Sequence, residues 1–112
     1  MYEYKAKITS VYDGDTVTAE IDLGFNVKIT EKIRLLRINT PEIRGAEREL
    51  GLITRDRLRE LILDKDVAIH TIKDKQGKYG RYLGEIFLST DVETININDL
   101  LVTEGLAEYK EY

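Results

Sequence analysis

Apolar and polar positions alternate strictly in the first part of the chain. Val17, Ala19, Ile21 and Leu23 alternate with Thr16, Thr18, Glu20 and Asp22, the period of two that turns one face of a β-strand toward a core. Ala6 and Ile8 alternate with Lys5 and Lys7 just before them. Between these runs, Tyr12-Asp13-Gly14-Asp15 predicts a turn, with Gly14 supplying the permissive backbone. Leu23-Gly24-Phe25-Asn26 predicts a second turn, leading into Val27 and Ile29. Residues 33–38 form a third apolar run, with Arg34 and Arg37 an odd number apart and so on opposite faces. Thr40-Pro41 ends it, because the residue before a proline is driven to extended geometry.

The period changes over residues 47–63. Leu50, Ile53, Leu58, Leu61 and Ile62 predict one side of a helix; Gly51 weakens its first turn and moves the expected start toward Leu52. Residues 67–72 and 82–88 are strand-like, separated by a turn at Gly77-Lys78-Tyr79-Gly80. Near the end, Asn98 is expected to be an N-cap, Leu100, Leu101 and Val102 the buried turn, and Gly105 the stop. The order is three strands, a helix, two strands and a helix. That order predicts a mainly β, α+β fold: a five-stranded Greek-key barrel of the OB type, with a helix inserted after the third strand and a short C-terminal helix. A split α+β sandwich is the alternative, and periodicity does not separate the two.

At 112 residues the chain is expected to form one domain spanning 1–112, large enough to bury a core without staples. It has no cysteine, which excludes disulfides and thiolate metal sites. Its single histidine, His70, excludes a histidine-built zinc site and leaves a Ser-His-Asp triad only that one residue. Carboxylates, amides, hydroxyls and arginines remain, an inventory suited to hard cations such as Ca²⁺ or Mg²⁺. The opening Met1-Tyr2-Glu3-Tyr4-Lys5-Ala6-Lys7 has no apolar core, and no apolar run is long enough to span a bilayer. A soluble, cytoplasmic protein with no membrane partner is expected.

The net charge of −4 argues against a long basic groove, but the charge is unevenly spread. Residues 32–59 hold eight Lys/Arg against four Asp/Glu, and residues 73–81 hold four against one. Residues 82–112 reverse this, with Lys110 against seven acids. A local basic region of this kind suits a small phosphate-binding footprint of weak non-specific affinity.

Three segments carry the candidate chemistry: Asp13-Gly14-Asp15-Thr16, Arg34-Leu35-Leu36-Arg37-Ile38-Asn39-Thr40-Pro41-Glu42, and Lys78-Tyr79-Gly80-Arg81. With the late Glu104-Gly105-Leu106-Ala107, in this order and at these separations, the chain resembles the staphylococcal (micrococcal) nuclease, or thermonuclease-like, family from about Lys5 to Tyr109. The resemblance implies an OB-fold barrel and Ca²⁺-dependent hydrolysis of DNA or RNA. It implies Asp15 and Asn39 as metal ligands, with Thr40 offering its backbone carbonyl. It implies Glu42 as the general base, Arg34 and Arg81 on the scissile phosphate, and Lys78 and Tyr79 beside the nucleotide. The chain departs from the family in three places. Asn39 stands where the family has a second aspartate, Tyr82 follows Arg81 where the best-known member has glycine, and the resemblance is expected to lack a final family helix.

These residue types suit phosphodiester hydrolysis. Metal and arginine charge stabilise the transition state electrostatically, usually the largest catalytic contribution. The planar fork of arginine grips two phosphate oxygens where lysine offers a point charge. A carboxylate base needs no histidine. The substrate class implied is single-stranded or loosely paired nucleic acid, cleaved by a monomer. A second reading stays open: a nuclease-like barrel that only binds nucleic acid or protein, because such barrels are general oligonucleotide platforms. Plainer roles are also available, Asp13-Gly14-Asp15 as a hairpin turn and Arg34 as a buried structural arginine paired with Glu42 or Asp15. His70 is expected to have no special role, and Arg55, Arg57 and Arg59 to form a solvated helix face.

Overall fold

The computed structural model describes residues 2–76 and 81–110. Five strands form the barrel: β1 (Tyr2–Asp13), β2 (Thr16–Asp22), β3 (Lys28–Leu35), β5 (Asp66–Gln76) and β6 (Tyr82–Ser89). Antiparallel pairing runs β3-β2-β1-β5-β6. A parallel pairing of β3 with β6, placing Ile33 opposite Tyr82, Arg34 opposite Leu83 and Leu35 opposite Gly84, closes the sheet on itself. Closure removes the exposed edges that an open sheet would present. The fold is therefore a closed, mixed, OB-like barrel with two helices.

The alternation that predicts the strands also fills the barrel. Ile8, Val17, Ala19, Ile33, Leu35, Ile69 and Ile86 are buried on the inner face. β1 pairs with both β2 and β5, and its register with β2 shifts between Ile8 and Ser10 and again between Val11 and Asp13. Such irregularities bend a strand and increase its twist, as a small barrel requires. Gly84 makes room at the closing seam, since a Cβ there would stand 3.0 Å from Ile69 Cγ2 and 3.3 Å from Ile33 Cγ2.

Four local expectations are corrected. The run at 33–38 is not one strand: β3 stops at Leu35, Arg37 adopts φ 69°, and β4 (Ile38–Asn39) begins beyond the turn. Arg34 and Arg37 thus diverge because the chain turns, not because one strand alternates. The inserted helix, α1 (Arg48–Ile62), starts before Gly51 and follows a 3₁₀ turn at Gly45–Glu47. It buries Gly51, Thr54, Leu58 and Ile62, while Leu50 and Ile53 are more than half exposed. A glycine and a threonine take inward positions because this turn lies too close to its neighbours for larger side chains.

In the last helix, α2 (Ile97–Thr103), the cap is Asn96, whose side chain accepts from the Asp99 N–H. Asn98 is fully buried instead. Its amide donates to the carbonyls of Leu36 and Gly84, and its Oδ1 accepts from the Ile86 N–H at 3.1 Å. It satisfies the Leu36 carbonyl at the turn and the Ile86 N–H, and adds a second donor to the Gly84 carbonyl, which already accepts from the Leu36 N–H; a periodicity argument does not detect this. Gly105 does end α2, at φ 76°, with Leu106 N–H on the Leu101 carbonyl and Gly105 N–H on that of Val102. Two short elements lie outside the expected five strands: β7 (Thr94–Asn96) beside β6, and β8 (Glu108–Tyr109), which pairs with β4.

Candidate active site

The hairpin between β1 and β2 is as tight as its sequence suggests, with Asp13 directly opposite Thr16 and only Gly14 and Asp15 in the loop. Gly14 plays a different part from the one expected, since its φ is not positive. A Cβ on it would stand 2.5 Å from Thr54 Cγ2 and 3.0 Å from Thr40 Cβ. The missing side chain lets the hairpin press against α1 and the segment after β4. The Asp13 side chain caps the turn by accepting from the Asp15 N–H at 3.1 Å.

This packing carries Asp15 to the end of β3. Its carbonyl accepts from the Leu35 N–H, and its Oδ2 lies 3.3 Å from Arg34 Nη2 and 3.3 Å from the Thr40 N–H nitrogen. Asp15, Arg34 and Thr40 are all buried. Arg34 Nη1 also donates to the carbonyls of Leu35 (2.7 Å) and Ile38 (3.1 Å), and Nη2 reaches the Asn39 Oδ1 at 3.4 Å. The guanidinium thus organises the turn at 36–37 as well as facing Asp15. Of the plainer readings of Arg34, pairing with Asp15 is the one realised. Thr16 Oγ1 lies between the two halves of the site: it donates to Asp15 Oδ1 and accepts from Arg81 Nη1, both at 3.3 Å.

Four expected residues therefore meet directly: Asp15, Arg34, Asn39 and Thr40. Arg81 joins through Thr16. Glu42, exposed, follows two residues past the buried Thr40. Its backbone is held by α1: a Cβ on Gly51 would collide with the Glu42 carbonyl oxygen and stand 2.5 Å from its carbon and 2.9 Å from the Ile43 nitrogen. Lys78 and Tyr79 lie outside the described residues. Thr16 and Gly51 were missed; a threonine beginning a strand and a glycine inside a helix both have commoner explanations.

The electrostatics follow from this crowding. Burial, together with the neighbouring charge of Asp15, pushes the Asp13 carboxyl up to about 6. Among the described residues no three acidic or histidine side chains cluster as a metal cage. The oxygens present (the Asp15 carboxylate, the Asn39 amide, the Thr40 carbonyl) are hard donors from three points of one rim. They fit a hard cation as a partial shell that water and substrate oxygens would complete. A cavity of about 240 Å³ opens beside Asn39 and Thr40, lined also by Pro41, Glu47 and Leu106. A separate groove of about 460 Å³ runs past Lys5, Lys7, Lys28 and Asp66 and shares no residue with this site.

Several other charged side chains are tied into ion pairs. Arg37 binds Glu85 Oε1 at 2.6 Å and Asp99 Oδ1 at 2.8 Å, and its guanidinium stands 5.7 Å from the ring centre of Tyr109. Its carbonyl accepts from the Lys110 N–H, so this knot ties β8 to the turn that precedes Asn39. Those contacts raise the Arg37 pKa, chiefly through its hydrogen bond to Glu85. Arg57 pairs with Glu60 and Glu104 on the helix surface. His70 lies 3.4 Å from Glu3 and packs against Phe87, away from the site.

One end of the closed OB-like barrel thus gathers an acid, an amide and two arginines. A family profile described as staphylococcal nuclease homologue matches residues 32–112, and the chain belongs to that family. It is also similar to an uncharacterized protein of Methanocaldococcus jannaschii, with 31% identity over 93% of this chain. The match covers 58% of that relative's length.

Proposed function

We infer that this chain is a calcium-assisted nuclease that hydrolyses phosphodiester bonds in single-stranded or loosely paired DNA or RNA, acting as a monomer. The observation that carries the reading is the meeting of Asp15 with Arg34 at 3.3 Å, with Thr40 and Asn39 on the same rim and Arg81 beside it through Thr16. Asp15, the Asn39 amide oxygen and the Thr40 carbonyl would hold the calcium ion. Bound there, calcium would supply Lewis-acid masking of phosphate charge.

The protein's own groups do the rest. Arg34, locked by two carbonyls, keeps its charge preorganised, so no reorganisation is needed as charge develops. Arg81, half-buried on Thr16, offers the second guanidinium. Glu42, on the exposed loop, takes a proton from water as the water oxygen attacks phosphorus. The bond from phosphorus to the leaving sugar oxygen breaks, and solvent protonates that oxygen.

The test is cleavage of single-stranded DNA and RNA with Ca²⁺ and with chelator. Glu42→Gln and Arg81→Ala are expected to lower kcat by about two to four orders of magnitude. An activity insensitive to both changes would refute the assignment.

The second reading, a barrel that binds nucleic acid without cutting it, is favoured by one observation. Asn39 leaves Asp15 as the only carboxylate among the three donors, and Arg34 already offsets its charge. Tight, Arg81-dependent binding with no cleavage at any calcium concentration would select it.

A further inference from the structure

Asn39 does not stand alone on its strand. β4 is only two residues long and pairs antiparallel with β8, setting Ile38 opposite Tyr109 and Asn39 opposite Glu108. Residues directly opposite in such a pair point to the same face, with Cβ atoms about 4.5–5.5 Å apart. The two faces of this ribbon are occupied differently. On one, Ile38 is fully buried, and the Tyr109 hydroxyl donates to Asp99. On the other, the Asn39 amide oxygen reaches Arg34 Nη2 at 3.4 Å, and Glu108 stands beside it. Both residues line the cavity of about 240 Å³, together with Thr40 and Glu47. No lysine, arginine or histidine is among the described residues that line it.

Glu108 combines a held backbone with a free carboxylate. Before it, Ala107 is buried and the Leu106 carbonyl accepts from Thr54 Oγ1 at 3.1 Å. After it, the Lys110 N–H is bound to the Arg37 carbonyl. The Glu108 side chain is exposed and makes no hydrogen bond or ion pair among the described residues.

The charge of the rim gives that carboxylate a use. Asp15 faces Arg34 at 3.3 Å, so their charges offset, while Asn39 and Thr40 add only neutral oxygens. These three donors and their arginine carry no net charge. Calcium affinity depends steeply on the number of charged ligands. Glutamate is one methylene longer than asparagine, so from the opposite strand its carboxylate extends alongside the Asn39 amide.

We propose that Glu108 is the second carboxylate of the cation site, supplying from β8 the charge that Asn39 lacks on β4. This rests on the calcium-assisted reading of the rim. The acidic last third of the chain then takes part in the site through one residue, placed there by strand pairing.

The test is calcium titration calorimetry on the full chain, comparing the parent with Glu108→Gln, Glu47→Gln and Asp15→Asn. Glu108→Gln is expected to weaken binding about tenfold or more. Glu47→Gln removes the same charge from the same cavity, but not from the position opposite Asn39, and should weaken binding less than about threefold. Adding Asn39→Asp to Glu108→Gln should return the affinity to within about threefold of the parent. Thermal unfolding separates a lost ligand from a lost fold. With chelator, Glu108→Gln should melt within about 2 °C of the parent, because the side chain is exposed; with calcium, the rise in Tm should be smaller than the parent's. Binding by Glu108→Gln within about twofold of the parent, an equal loss in Glu47→Gln, no recovery with Asn39→Asp, or a clearly lower Tm in chelator would each overturn the proposal. If Asp15→Asn abolishes binding while Glu108→Gln does not, the calcium-assisted reading survives and only the role of Glu108 falls. If the parent binds no calcium even with a single-stranded oligonucleotide present, both fall.

Discussion

Replacing Gly51 by alanine tests the packing that holds the loop carrying Glu42. In an ordinary helix interior this change stabilises, because alanine exceeds glycine by about 1 kcal/mol in helix propensity. Here the opposite sign is expected. The new Cβ would meet only backbone: the Glu42 carbonyl group and, at 2.9 Å, the Ile43 nitrogen. That segment has little freedom to retreat, since Pro41 stiffens it and the Thr40 N–H is tied to Asp15. Overpacking of this kind costs about 1–3 kcal/mol, and a rigid obstacle argues for the upper part of that range. Subtracting the propensity gain leaves a net loss of about 1–2 kcal/mol. At about 4 °C per kcal/mol for a chain of this size, Tm should fall by roughly 4–8 °C. Urea and thermal unfolding measure it directly. The loop carrying Glu42 must move too, and a displacement of about 1 Å can lower turnover about a hundredfold. Kcat should therefore fall more than KM rises. A Gly51→Ala protein as stable as its parent would refute the close-approach argument.

Three further outcomes are expected. Asn98→Ala should cost about 2 kcal/mol or more in chemical denaturation, because it strands the Leu36 carbonyl and the Ile86 N–H in the core, while the Gly84 carbonyl keeps the Leu36 N–H; a loss below about 1 kcal/mol would contradict the role given to it. Asp13 holds its proton more tightly folded, up to about 6, than unfolded, so its contribution to stability is fully present below about pH 4 and is lost as pH rises through about 6. Asp13→Asn, measured with chelator, should flatten stability across that window and gain on its parent toward pH 7; an unchanged pH profile would count against it. Asn39→Asp adds a charged oxygen beside Asp15 and should tighten calcium binding by an order of magnitude or more in titration calorimetry. No gain would place the ion elsewhere.

How much of the site was legible depended on whether each residue's role is local. Asp15, Arg34, Asn39 and Thr40 could be named in advance because their motifs carry family order, and they do meet. Thr16 could not, because its bridging role exists only once Arg81, 65 residues away, folds over it. Asn98 was mistaken for a cap because Asn-Asp before an apolar run is a cap signal, and burial is not visible in such a pattern. Leu50 and Ile53 satisfied helical periodicity, yet the tight approach at Gly51 and Thr54 rotated them outward.

By itself the sequence determined the strand alternation, the number of barrel strands, the helix after the third and four residues that share one rim, because period, turn chemistry and motif are properties of short segments. Only the tertiary structure decided the parallel closure of β3 on β6, the register that sets Arg34 against Asp15, and the pairing that sets Glu108 opposite Asn39. Each of these depends on two distant segments sharing one volume. Close packing then selects which side chains fit there, and glycine where none does.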